Sequence, residues 1–145
     1  MIKVPSNVKI IGFLGLIPMI FGLLGLIKLS FLSNQINDFL INFAIIYAAI
    51  ILSFLGGCLF GFKTLKDEKP SLLNLFFTVC PSIWASLSLQ LPLFKTSSLA
   101  LGFLLIYEID RRFFKNSLTP KWWLGLRLPL TSLIIIILVI MGFYV

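Results

Sequence analysis

ILSFLGGCLFGF, residues 51–62, sets three glycines and one serine among apolar residues only. In water this is a poor helix, because each interior glycine costs about 1 kcal/mol against alanine. It is also a poor strand, because glycine offers no side chain to pack. In lipid the same composition has a use: small residues let two helix backbones come close enough for van der Waals packing to hold them together. Ala49, Ser53, Gly57 and Gly61 recur every four residues, with Ala44, Ala48 and Gly56 beside them. The stretch therefore reads as a packing helix with one smooth stripe, its partner either another helix of this chain or another protein.

The rest of the chain agrees with that solvent. Its 145 residues are 59% hydrophobic and 12% charged, with a mean hydropathy of +1.09, where a soluble domain carries about 25% charged residues. One all-α membrane domain is implied, with no polar run long enough for a separate soluble module. The net charge of +7 does not point to nucleic acid, because the basic residues sit at the edges of apolar runs and form no extended polar face. Histidine is absent, and the two cysteines, Cys58 and Cys80, lie in different apolar runs without CxxC spacing. No metal or cofactor site is expected from them, and both thiols read as small hydrophobes.

About 20 apolar residues cross the roughly 30 Å of bilayer hydrocarbon, and five segments qualify: residues 8–31, 37–62, 72–91, 93–111 and 122–145. The first follows a short basic start with no small-residue cleavage site, and reads as an uncleaved span. Two prolines leave alternatives open. Pro92 either separates the third and fourth spans or kinks one long helix; Pro129 either kinks a helix from Trp122 or marks where the crossing begins, after a flat interfacial PKWWLGLR. Five spans put ten of the twelve basic residues on one side of the membrane, leaving only Lys28 and Lys95 opposite. By the positive-inside rule the N-terminus is then cytoplasmic (or in the organelle matrix) and the C-terminus on the other side, with Trp122 and Trp123 as interfacial anchors.

The polar residues that bear on chemistry are few. YEIDRRFF followed by WWLGLRLPLT places Glu108 four residues before Arg112, a favourable helical pair. It also brings Glu108 and Asp110 to a depth like that of Arg127, about 9 Å along the last helix, so a buried ion pair across the hairpin is expected. That cluster reads first as a clamp, then as a headgroup or partner site, then as part of a transport path. Thr78, Ser82 and Ser86 recur every four residues in the third span; such hydroxyls line a wet path or bond their own helix and its neighbour, and the second is the commoner use.

The motifs GLIPMIFG, YAAIILSFLGGCLFG, CPSIWASL, YEIDRRF and WWLGLRLPLT together resemble the domain of unknown function 3429 family, whose eukaryotic relatives include the mitochondrial transmembrane protein 69. The resemblance spans nearly the whole chain. It implies a five-helix inner-membrane protein, bacterial or mitochondrial, without an established activity, and it draws attention to Pro18, Ser53, Gly56, Gly57, Asp110, Arg127 and Thr131. Phe60 stands where family members commonly carry tryptophan. The expected function is that of a non-enzymatic accessory, scaffolding or assembly partner of a membrane complex. The alternatives are a small-solute or ion transporter and a protein that binds anionic lipid headgroups. No acid, base and nucleophile set recommends an enzyme.

Overall fold

The computed structural model describes residues 3–27 and 33–144, and the described chain is all helix and short turns. Its helices are α1 (Ser6–Leu14), α2 (Ile17–Leu26), α3 (Asn34–Lys66), α4 (Leu72–Leu89), α5 (Lys95–Lys115) and α6 (Trp123–Tyr144). Between α1 and α2 the helix falters at Gly15 and Leu16, because Pro18 has no N–H for the carbonyl of Leu14 four residues back. The two pieces still form one rod, Ser6–Leu26, so the described residues form five helical rods. Ser33 and Ser71 cap α3 and α4, their hydroxyls accepting from the backbone N–H groups of Ile36 and Asn74 at 3.4 Å each.

Four rods are long and apolar enough to cross a membrane: Ser6–Leu26, Asn34–Lys66, Leu72–Leu89 and Trp123–Tyr144. α5, expected as a fifth span, has the length at 21 residues, but Glu108, Asp110, Arg111, Arg112 and Lys115 crowd its last two turns. Pro92 lies in the turn between Leu89 and Lys95, so α4 and α5 are separate helices. α6 runs unbroken from Trp123 through Pro129, so PKWWLGLR does not lie apart as a flat segment. The expected first span ends in residues 28–32 and the last at residue 145, outside the described residues.

α3 is the centre of the bundle. It packs most extensively against α2 and α4, then α5, and touches α6, while α5 and α6 form a tight pair of their own. Beyond Asn37, its buried residues are Ala44, Ile45, Ala48, Ala49, Leu52, Leu55, Gly56 and Leu59, each with another three or four positions away as a helical seam requires. Backbone contact is closest where side chains are smallest. A Cβ on Gly22 of α2 would stand 2.4 Å from that of Ala44, and one on Gly56 would stand 2.5 Å from the carbonyl oxygen of Thr78 in α4.

Candidate functional site

The α5–α6 pair owes its register to one buried ion pair. α5 buries Leu99, Phe103, Ile106 and Asp110, and α6 buries Trp123, Arg127, Leu130, Thr131 and Ile134, so Asp110 and Arg127 each continue an apolar stripe with a charge. Arg127 Nε donates to Asp110 Oδ2 at 2.8 Å, and the two side chains are 3% and 1% exposed. The second oxygen, Oδ1, accepts the Trp123 indole N–H at 2.7 Å. Phe62 of α3 meets the Trp123 ring edge to face at 4.9 Å. Arg127 Nη2 and Thr131 Oγ1, one turn apart on α6, are buried without a partner among the described residues.

Trp123 was expected as an interfacial anchor; it is instead 8% exposed and holds the carboxylate. The available signal was its spacing four residues before Arg127, which puts both side chains on one face of α6. Glu108 does not join the buried pair. Two residues on a helix are about 200° apart, so a face that carries Asp110 into the core turns Glu108 away. Glu108 is 47% exposed and pairs along its own helix with Arg111 at 3.0 Å and Arg112 at 3.4 Å.

The small-residue stripe divides as well. Ser53 donates to Ser82 of α4 at 2.8 Å, Ala49 is buried, and Gly56 lies against Thr78 and Pro81. Gly57 and Gly61, expected to pack, have nothing within 4 Å of a Cβ built on them among the described residues. The reason is geometric: steps of four residues turn 400°, so a four-residue repeat drifts about 40° per step and has left the seam by its second step, at Gly57. The hydroxyls of α4 part in the same way. Thr78 bonds its own Leu75 carbonyl at 2.6 Å, Ser82 bonds Ser53, and Ser86 is exposed.

Glu108 and Arg112 line a cavity of about 550 Å³ between α4 and α5, to which α3 contributes Lys63. One end is apolar or small, with Phe77, Pro81, Trp84, Gly102, Leu105 and Ile109, and the other carries the polar residues Lys63, Asn74, Glu108, Arg112 and Asn116. The Trp84 indole N–H donates to the Ser98 carbonyl at 2.8 Å. Beside the polar end, Lys63 pairs with Asp67 at 2.9 Å. That contact, at the C-terminal end of α3, holds the Asp67 carboxyl below its ordinary range through the Lys63 hydrogen bond. Lys66 donates to the Ser117 carbonyl, and Ser117 itself has a left-handed backbone, φ 54°. The loops after α3 and after α5 are thus tied together at one end of the bundle. Among the described residues no group of three or more His, Cys, Asp or Glu could hold a metal ion; Cys58 and Cys80 are free and half-buried.

Residues 4–143 match the family model described as protein of unknown function (DUF3429). No curated protein and no solved structure matches the chain.

Proposed function

The chain belongs to the DUF3429 family, and from that premise we propose that it is a non-enzymatic inner-membrane protein that serves as an accessory, scaffolding or assembly partner of a membrane complex. In this reading all five rods cross the bilayer, with the N-terminus in the cytoplasm or matrix and the C-terminus opposite. The observation that carries it is the closure of Asp110. Both carboxylate oxygens already accept, from Arg127 and from Trp123, so the pair acts as an internal clamp that fixes α6 on α5. A transport path would require a charge free to meet a solute, and the Asp110–Arg127 geometry favours the clamp over it.

The topology draws support from the tie between Lys66 and Ser117. It gathers the basic loops after α3 and after α5 at one end of the bundle, where the positive-inside rule requires them. α5 crosses in this reading although its charges exclude it by composition, because Asp110 is neutralised within the bundle and the other charges stand near the helix end, where long side chains snorkel.

The test is purification of the tagged protein at native expression, with lysine crosslinking and mass spectrometry. A stoichiometric membrane partner crosslinked through Lys63, Lys66 and Lys69 or through Lys115 and Lys121 is expected. Recovery as a lone species, with no crosslinked neighbour, would sink the accessory role. For the topology, single cysteines at Lys66 and Lys95 in a cysteine-free background should label from opposite sides with an impermeant maleimide.

A further inference from the structure

The groove between α4 and α5 is graded along its length in the way a phospholipid is. On α5, Gly102 lies at the apolar end and Arg112 at the polar end, ten residues or about 15 Å apart. On α4, Trp84 and Asn74 occupy the corresponding ends, again about 15 Å apart. Half of a roughly 30 Å hydrocarbon layer is the same distance. Both walls therefore pass from apolar to polar over the depth of one leaflet, and the volume of about 550 Å³ lies inside the roughly 300–1,000 Å³ typical of ligand sites.

The polar end is also unbalanced in charge. Residues 63–69 and 108–116 carry six lysines and arginines, against three carboxylates outside the Asp110–Arg127 pair. Lys63, paired with Asp67, is 12% exposed on its side chain, whereas Arg112 reaches out at 74%. Lys63 and Arg112, each with one carboxylate neighbour, Asp67 and Glu108, stand in a basic surround at the end of an apolar slot, which suits a phosphate attached to a hydrocarbon chain.

We propose that this groove holds one acyl chain of an anionic phospholipid, with the headgroup phosphate taken by Lys63 and Arg112. The inference rests on α4 and α5 lying in the bilayer, as in the reading above. Phe77, Trp84 and Leu105 flank the chain, and the indole N–H of Trp84 is already donated to the Ser98 carbonyl.

Trp84 reports on the occupant directly. The full-length protein in liposomes is titrated with phosphatidylglycerol or phosphatidylcholine brominated on the same chains, and the Trp84 signal is taken as the difference from Trp84→Phe. Phosphatidylglycerol should quench Trp84 at about five-fold lower mole fraction than phosphatidylcholine. Lys63→Gln with Arg112→Gln should abolish that difference, while Lys69→Gln with Lys121→Gln, which remove the same charge away from the groove, should keep it. Equal quenching by the two lipids overturns the site while leaving the helices in the membrane. Equal loss in both double variants overturns it in favour of general attraction to the basic end. No Trp84 quenching by either lipid overturns both the site and the placement of α4 at the lipid; a partner helix seated in the groove would give that result.

Discussion

Replacing Arg127 by methionine leaves Asp110 with one donor, Trp123, in a site where the side chain is 1% exposed. Removing one member of a buried ion pair costs about 3–5 kcal/mol, because the remaining charge is uncompensated. At 1.4 kcal/mol per tenfold that is about two to three and a half powers of ten in the folding equilibrium. Asp110→Leu should cost about as much, by stranding the guanidinium against apolar neighbours. The double variant Asp110→Leu with Arg127→Met removes both charges and keeps the volume apolar, and should lie within about 2 kcal/mol of the unaltered protein, since replacing a buried pair by hydrophobes is often neutral or better. Reversible unfolding by SDS in mixed micelles gives all three values. The sign of the coupling decides: a double variant that loses the sum of the two single losses would refute the clamp, since groups that do not interact are additive. Equally damaging is a loss below about 1 kcal/mol for either single variant, the size expected of an exposed pair.

The remaining expectations concern packing and the exposed end. Gly56→Ala drives a methyl to 2.5 Å from the Thr78 carbonyl oxygen, a backbone atom, and should destabilise by about 1–3 kcal/mol in the same unfolding assay. Gly57→Ala and Gly61→Ala meet open space and should gain up to about 1 kcal/mol from helix propensity; a loss at either would reveal a partner helix on that face. Trp123→Phe keeps the ring contact with Phe62 and removes one donor to Asp110, so it should cost about 1 kcal/mol by the same measurement. Asp67, depressed by Lys63, should titrate by NMR below the usual 3.9 or so of an aspartate. Its contribution is present above the unfolded value and lost as pH falls through the folded one, and Lys63→Gln should return the midpoint upward.

What was legible in the sequence follows from what each signal measures. Hydropathy measures solvent, so the helices and their polar breaks at residues 63–71 and 111–121 could be read directly; Pro92 was left open between a break and a kink, because a proline alone does not decide, as Pro81 and Pro129 inside helices show. Spacing by four measures a face only over two or three turns. The drift of about 40° per step is why Ala49, Ser53 and Gly56 reach a neighbour while Gly57 and Gly61 do not. The buried pair was legible as depth, since Asp110 and Arg127 lie at matching heights, but depth does not fix rotation. Only the stripe Leu99, Phe103, Ile106 and Asp110, read together, separates Asp110 from Glu108. Trp123 was missed because two adjacent tryptophans at a helix edge look alike by composition, and only the four-residue interval to Arg127 distinguishes the second.

The charges of α5 make a single argument of these pieces. By composition they remove the helix from the set able to cross a membrane, but composition counts charges without regard to direction. Asp110 points into the bundle and is matched there by Arg127. Glu108 and Arg112, on the other side, open on the groove, and their pairing at 3.4 Å is too long and too exposed to hold them there for stability alone. A helix that only had to cross would do better with leucine at both positions. That Asp110 serves an internal clamp while Glu108 and Arg112 line the mouth of the groove is what a helix would need if it had both to hold α6 in place and to present a headgroup site. The two roles separate experimentally: Arg127→Met should lower stability, whereas Arg112→Gln should leave stability within about 0.5 kcal/mol and change only the lipid preference at Trp84.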